Sequence, residues 1–165
     1  MNEFLMDKNS GYLEIILGPM FSGKTSQIVN LHKQYTYCNI HVIVINYHED
    51  NRYDDLLLST HDNVKIECYK CKRIGEIMEK YSDLLNSKFT VVMINEGQFF
   101  EDLYPAVEHM LQHNKKIYIG GLDGDFERKK FGQILDLIPL CDKVTKMTSL
   151  CSLCKNGTNG IFSKR

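Results

Sequence analysis

An α/β fold with a mostly parallel sheet flanked by helices follows from three features of the 165-residue sequence. Short apolar, β-branched runs recur along the chain. Segments with apolar residues at helical spacing separate them, and a glycine-rich turn bearing a lysine joins the first run to the first such segment. Alternation of this kind covers a sheet on both faces, which is why its strands read as continuous apolar runs.

Tyr12–Leu17 reads as a buried strand, short and ended by Gly18-Pro19. Ile28, Val29, Leu31 and Tyr35 recur at helical spacing and predict a helix from Lys24 to about Tyr37. His41–Asn46 (HVIVIN) is continuous and β-branched, a second buried strand. Tyr47–Asn63 is polar and punctuated, a loop or flap, followed by a short strand over Val64–Tyr69 and a helix over Arg73–Leu85. Phe89–Asn95 (FTVVMIN) is the clearest core strand. Glu101–His113 gathers Leu103, Val107, Met110 and Leu111 on one helical face, and Ile117–Gly121 is another apolar strand. Asp123–Lys130 is too charged for a core, and after Leu150 Cys, Ser, Gly, Asn and Lys replace the apolar runs. The chain is therefore expected to divide into an α/β domain over 1–149 and a small metal-supported appendage beginning at 150–165.

Hydrophobic residues make up 43% and charged residues 25%, ordinary for a globular protein, and the net charge of -1 gives no field favouring nucleic acid or an anionic membrane. No stretch approaches the ~18 apolar residues of a membrane span, and Met1–Ser10 lacks an apolar signal core. A cytoplasmic location is the expectation, with neither nucleic acid nor membrane as partner. Of the six cysteines, Cys68/Cys71 and Cys151/Cys154 form CxxC pairs, which in a reducing compartment point to metal binding before disulfides.

Gly18-Pro19-Met20-Phe21-Ser22-Gly23-Lys24-Thr25 matches GxxxxGK[ST] in full, after a strand and opening a helix. Gly18 and Gly23 let the backbone curl so that successive N–H groups point at phosphate oxygens, reinforced by the helix start. Lys24 reaches the outer phosphates and the Thr25 hydroxyl binds Mg²⁺. The reading is of a P-loop, NTPase-like nucleotide site taking ATP and Mg²⁺. At the end of the Phe89–Asn95 strand, where such sheets gather ligands, stand Asn95 and Glu96. Enzymes of this kind use an Asp at the strand end to hold Mg²⁺; here it is Asn95, and Glu96 is a candidate proton acceptor from a substrate hydroxyl.

These motifs do not stand alone. After GPMFSGKT come Asp50-Asn51-Arg52-Tyr53, Thr60-His61-Asp62, NEGQFF and Leu122-Asp123-Gly124-Asp125-Phe126-Glu127-Arg128-Lys129-Lys130-Phe131-Gly132, then Leu137-Ile138-Pro139-Leu140, Cys151/Cys154 and Phe162-Ser163-Lys164-Arg165. In that order they resemble the motif series of type II thymidine kinases, the cellular and poxviral type, from about Leu13 to the last residue. The resemblance implies ATP- and Mg²⁺-dependent transfer of a phosphoryl group to the 5′-hydroxyl of thymidine. It places Glu96 as catalytic base and Lys24 and Arg52 as neutralisers of the transferring group. It puts Asp50 near nucleotide and metal, with Gln98 on the nucleotide-binding side, and Met20, Phe99, Leu122, Phe126 and Phe131 around the thymine ring. Leu122 and Phe131 read equally as core residues. Arg128 and Lys129 read equally as phosphate contacts and as solvated loop. The family also implies a homotetramer and a structural zinc for which Cys151 and Cys154 are the candidate ligands.

Two departures stand out. The family's Asp is Asn95 here, which brings no negative charge to a cation that prefers anionic oxygen. The matching pattern also breaks off at Arg165, where the family continues into a lasso closing over thymine and a second cysteine pair, so either a longer product is expected, the reading favoured, or this chain lacks the usual lid. Two thiolates alone cannot close a tetrahedral zinc site, and Cys68/Cys71 read as ordinary free thiols. A kinase of another deoxynucleoside and a nucleotide-binding regulator that has given up catalysis remain as alternatives.

Overall fold

The computed structural model describes residues 11–48, 57–60, 62–87 and 90–164. Strands β1 (Tyr12–Leu17), β2 (Val42–Tyr47), β5 (Tyr69–Cys71), β6 (Val91–Asn95), β7 (Lys116–Gly121) and β8 (Lys143–Lys146) form one sheet in the order β5-β2-β6-β7-β1-β8. Each of its pairings is parallel. Parallel strands need covered crossovers, and helices α1 (Lys24–Tyr37), α2 (Ile74–Lys80), α3 (Ser82–Asn86) and α4 (Leu103–Gln112) supply them.

The two-residue period of the strands splits the core into two layers. Leu13, Ile15, Ile43, Ile45, Val92, Ile94, Ile117 and Ile119 meet α2 and α4 through Ile74, Ile77, Leu103, Val107 and Met110. Ile16, Val44, Met93 and Tyr118 point the other way, onto Ile28 and Val29 of α1. Because β6, β7 and β1 are neighbours, the segments that follow them emerge side by side at the carboxyl edge of the sheet.

Several elements differ from the sequence expectation. Within the expected loop over Tyr47–Asn63, Leu57–Ser59 is a strand (β3) paired antiparallel with Lys65–Glu67 (β4). Leu58 and Ile66 are both buried in the α1-side core, so two apolar residues suffice to fix this hairpin. The single strand expected over Val64–Tyr69 is consequently two, with buried Cys68 between β4 and β5. The helix expected over Arg73–Leu85 breaks at Tyr81, whose ring packs on that of Tyr69 at 4.5 Å and ends α2. Tertiary packing overrides the local helical period here. Strand β8 was hidden because KVTK carries one large apolar residue; backbone pairing to β1 creates it, helped by the Leu13 amide donating to Asp142 Oδ2 at 2.8 Å. Residues Ile134–Leu140 form a 3₁₀ helix whose Ile134 and Leu137 are buried. Near the end, β9 (Ser149–Leu150) pairs with β10 (Asn159–Gly160) as an antiparallel hairpin around the Cys151/Cys154 turn. Among the described residues no helix is long and apolar enough to cross a membrane.

Candidate active site

The 18–25 loop leaves β1 and turns directly into α1. Gly23 stands before the helix at φ 88°, a left-handed conformation that costs glycine little, and among the described residues no side chain caps the helix behind it. At Gly18 the constraint is space: a Cβ would lie 2.6 Å from Ser22 Oγ and 2.7 Å from the Met147 carbonyl oxygen. The loop is closed from within. Lys24 Nζ and Ser22 Oγ each donate to the Pro19 carbonyl at 2.7 Å. Burial holds the Lys24 ammonium below the ordinary lysine value, while the carboxylates of Glu96 and Asp123 pull it back up. From the far end of the chain, Ser163 Oγ accepts the Met20 N–H at 2.8 Å.

Glu96 follows β6 at φ 56°, a conformation rare outside glycine. Gln98 fixes it there. Its Nε2 donates to Glu96 Oε2 at 2.7 Å while its Oε1 accepts the Leu122 N–H at 3.0 Å, so one buried amide ties the end of β6 to the end of β7. Both ends of the Gln98 side chain thereby make contacts within the protein, and Gln98 also lines the cleft described below. Beneath, Asn95 Nδ2 donates to Asn46 Oδ1 at 3.0 Å, and the two are register partners on β2 and β6. A neutral amide pair thus occupies the strand ends. Sequence reasoning missed Asn46; the available signal was a second Asn ending the second predicted strand.

Met20, Phe21, Gly23, Lys24, Thr25, Glu96, Gln98, Phe99 and Leu122, with Ser26, line one cleft of about 260 Å³. It brings a lysine, a hydroxyl and a carboxylate together with apolar side chains in one lining. Phe99 is 42% exposed, its ring stacked on Tyr47 at 5.1 Å and met edge-on by Phe131 at 5.3 Å. Phe131 therefore supports the wall rather than lining it, and Phe126, 48% exposed, stands outside the cleft lining. Gly18, Pro19 and Ser22 shape the loop without lining the cleft. Asp50, Asn51, Arg52, Tyr53 and His61 lie outside the described residues.

The cysteines separate by chemistry. Cys68 and Cys71 are buried, and burial pushes the Cys71 thiol up to about 12, which disfavours the thiolate form that ligation or nucleophilic attack uses. Cys154 N–H donates to Cys151 Sγ at 3.4 Å, which lowers the Cys151 thiol below its ordinary value. Among the described residues no group of three or more His, Cys, Asp or Glu gathers as a metal site. The donor set present, two thiolates, does not close a tetrahedral zinc centre.

Comparison with known proteins is decisive on kinship. The thymidine kinase family model matches residues 11–165. The thymidine kinase of variola virus (isolate Human/India/Ind3/1967) is 38% identical over 139 residues, 84% of this chain and 75% of the viral protein. That of vaccinia virus (strain Western Reserve) is 37% identical over 139 residues, with the same 84% and 75% coverage. That of sheeppox virus (strain KS-1) is 38% identical over 137 residues, 83% of this chain and 74% of its own. The chain belongs to the thymidine kinase family. As a member of that family of phosphotransferases it is an enzyme, and the cleft between the 18–25 loop and Glu96 is its candidate active site.

Proposed function

We propose that this family member transfers a phosphoryl group from ATP, with Mg²⁺, to the 5′-hydroxyl of thymidine, giving thymidine monophosphate. The observation that carries the reading is the single cleft in which Lys24, Thr25 and Glu96 share a lining with Met20, Phe99 and Leu122. A P-loop at 18–25 would hold the donor phosphates through its backbone N–H groups and the uncapped start of α1. Lys24 turns from the Pro19 carbonyl onto the transferring group, and Arg52 adds a second positive charge. Glu96, oriented by Gln98, takes the proton of the attacking hydroxyl. Met20, Phe99 and Leu122 supply apolar surface for the thymine ring, with Phe131 buttressing Phe99 and Phe126 nearby.

The donor set fits Mg²⁺ in part. The Thr25 hydroxyl lines the cleft, Asp50 is the candidate carboxylate, and Asn95 offers only a neutral amide. Held there, Mg²⁺ would supply positive charge to offset that of the donor phosphates. Zinc at Cys151 and Cys154 requires two further ligands; with that condition, a domain over 1–149 and a zinc-supported segment beginning at 150–165 describe the chain. Homotetrameric assembly and a cytoplasmic setting complete the reading by family.

Thymidine phosphorylation with ATP and Mg²⁺ tests it, using the native protein, Glu96→Gln and Asn95→Asp together. Native turnover should fall about 10²–10⁴-fold in Glu96→Gln. Asn95→Asp should lower the Mg²⁺ concentration needed for half-maximal rate, since Asn46 can turn its amide to face a carboxylate. Silence in both the native protein and Asn95→Asp defeats the proposal. Activity confined to Asn95→Asp would instead make the native chain a nucleotide-binding protein without catalysis.

A further inference from the structure

A second cavity, of about 230 Å³, lies behind the crest of the 18–25 loop and shares none of the residues lining the first cleft. Four cations line it, Arg128, Lys129, Lys130 and Lys146, against one carboxylate, Asp123. The three lysines are already engaged: Lys129 with Glu127 at 2.7 Å, Lys130 with Asp136 at 3.0 Å and Lys146 with Asp123 at 3.0 Å. Arg128 is not. It forms no ion pair among the described residues and is held over the Phe162 ring at 5.1 Å, on a backbone at φ 64° that a residue with a long side chain seldom adopts. A guanidinium with no ion pair among the described residues, held over a ring on an unusual backbone and lining a solvent-open cavity, is poised for an anion.

Ser163 adds a second, independent feature. Its hydroxyl lines the same cavity and accepts the Met20 N–H, while its own proton has no acceptor among the described residues. Donating that proton to an anion in the cavity would polarise the hydroxyl and strengthen its hold on Met20. We infer that this cavity is a phosphate-binding subsite, distinct from the donor site of the first cleft, in which Arg128 and Ser163 grip a phosphate group and transmit its presence to the loop crest through the Met20 amide. The ligand is phosphate chemistry, supplied either by free inorganic phosphates or by the phosphate tail of a nucleotide. The subsite stands on its own residues and goes beyond the thymidine kinase reading.

The test is calorimetric titration with inorganic pyrophosphate. In Lys24→Met, where the loop's own site is disabled, the protein should still bind pyrophosphate. Adding Arg128→Gln should weaken that binding at least tenfold, Arg128→Lys should restore most of it, and Ser163→Ala should weaken it less. Lys146→Gln, which leaves Arg128 on its ring, serves as a second route should Arg128→Gln fail to fold, and should also weaken binding. ATP titrated into Arg128→Gln with Lys24 intact separates the sources. Weakened ATP binding assigns the cavity to a nucleotide's tail; unchanged ATP binding with lost pyrophosphate binding assigns it to free phosphates. No pyrophosphate binding in Lys24→Met, or binding indifferent to both Arg128→Gln and Lys146→Gln, overturns the subsite whatever the thymidine assay gives.

Discussion

Two helices start at the carboxyl edge of the same sheet, and their first turns are completed in opposite ways. The opening amides of α2 are satisfied from inside the protein: Ile74 N–H donates to Asp102 Oδ1 at 3.1 Å and Gly75 N–H to Asp102 Oδ2 at 2.9 Å. Helix α1 opens behind Gly23 with no capping side chain among the described residues and no acidic residue in its first turn, beside a cleft holding Lys24 and Thr25. Every helix start carries unpaired donors and a partial positive charge. Where a fixed carboxylate answers them, the helix is a structural element. Where nothing does and a cleft adjoins, they stay available to an incoming anion. The contrast lies in what surrounds each start, since both helices cover the same sheet.

Substitutions at the two starts should separate these roles. Lys24→Met removes the cation from the open start and should cut thymidine turnover about 1,000-fold while the protein stays folded, read by steady-state kinetics beside circular dichroism. Asp102→Ala unties the closed start and should do the reverse. It should cost about 1–2 kcal/mol in urea unfolding, through two lost charge-assisted bonds, with kcat nearly unchanged. A comparable loss of kcat there would erase the distinction.

The smallest effect is the pH dependence of stability. Burial lowers the folded-state value of Lys24 below that of the unfolded chain, so the unfolded state binds more protons in the window between the two. Stability from this group therefore rises with pH across that window, reaching up to the ordinary lysine value. Lys24→Met, free of that penalty, should melt slightly higher than the native protein at neutral pH, and the gap should close as pH rises. A gap that widens with pH would mean that the Pro19 and Ser22 contacts of Lys24 outweigh its burial.

Legibility in the sequence followed the range of the interactions. β1, β2, β6 and β7 were readable because each is a continuous apolar run whose neighbours make little difference to its conformation. β3 and β8 were not, since three or four mixed residues become strands only when β4 or β1 offers a hydrogen-bonding partner. In the cleft, Lys24, Thr25 and Glu96 announced themselves through a contiguous motif and a strand end. The ties that set their geometry join residues far apart in the chain: Gln98 to Leu122, Asn95 to Asn46, and Ser163 to Met20. Such pairs leave no local pattern.

The sequence by itself determined the α/β class and the family, because periodicity and a series of contiguous motifs are local properties that survive without coordinates. Only the tertiary structure decided the strand order β5-β2-β6-β7-β1-β8 and the wholly parallel pairing of that sheet. It alone divided the cations between two cavities, with Lys24 facing Glu96 in one and Arg128 beside Ser163 in the other. The physical reason is the same throughout: hydrogen bonds and electrostatic contacts act over a few ångströms of space, and folding, not sequence proximity, sets which residues share those ångströms.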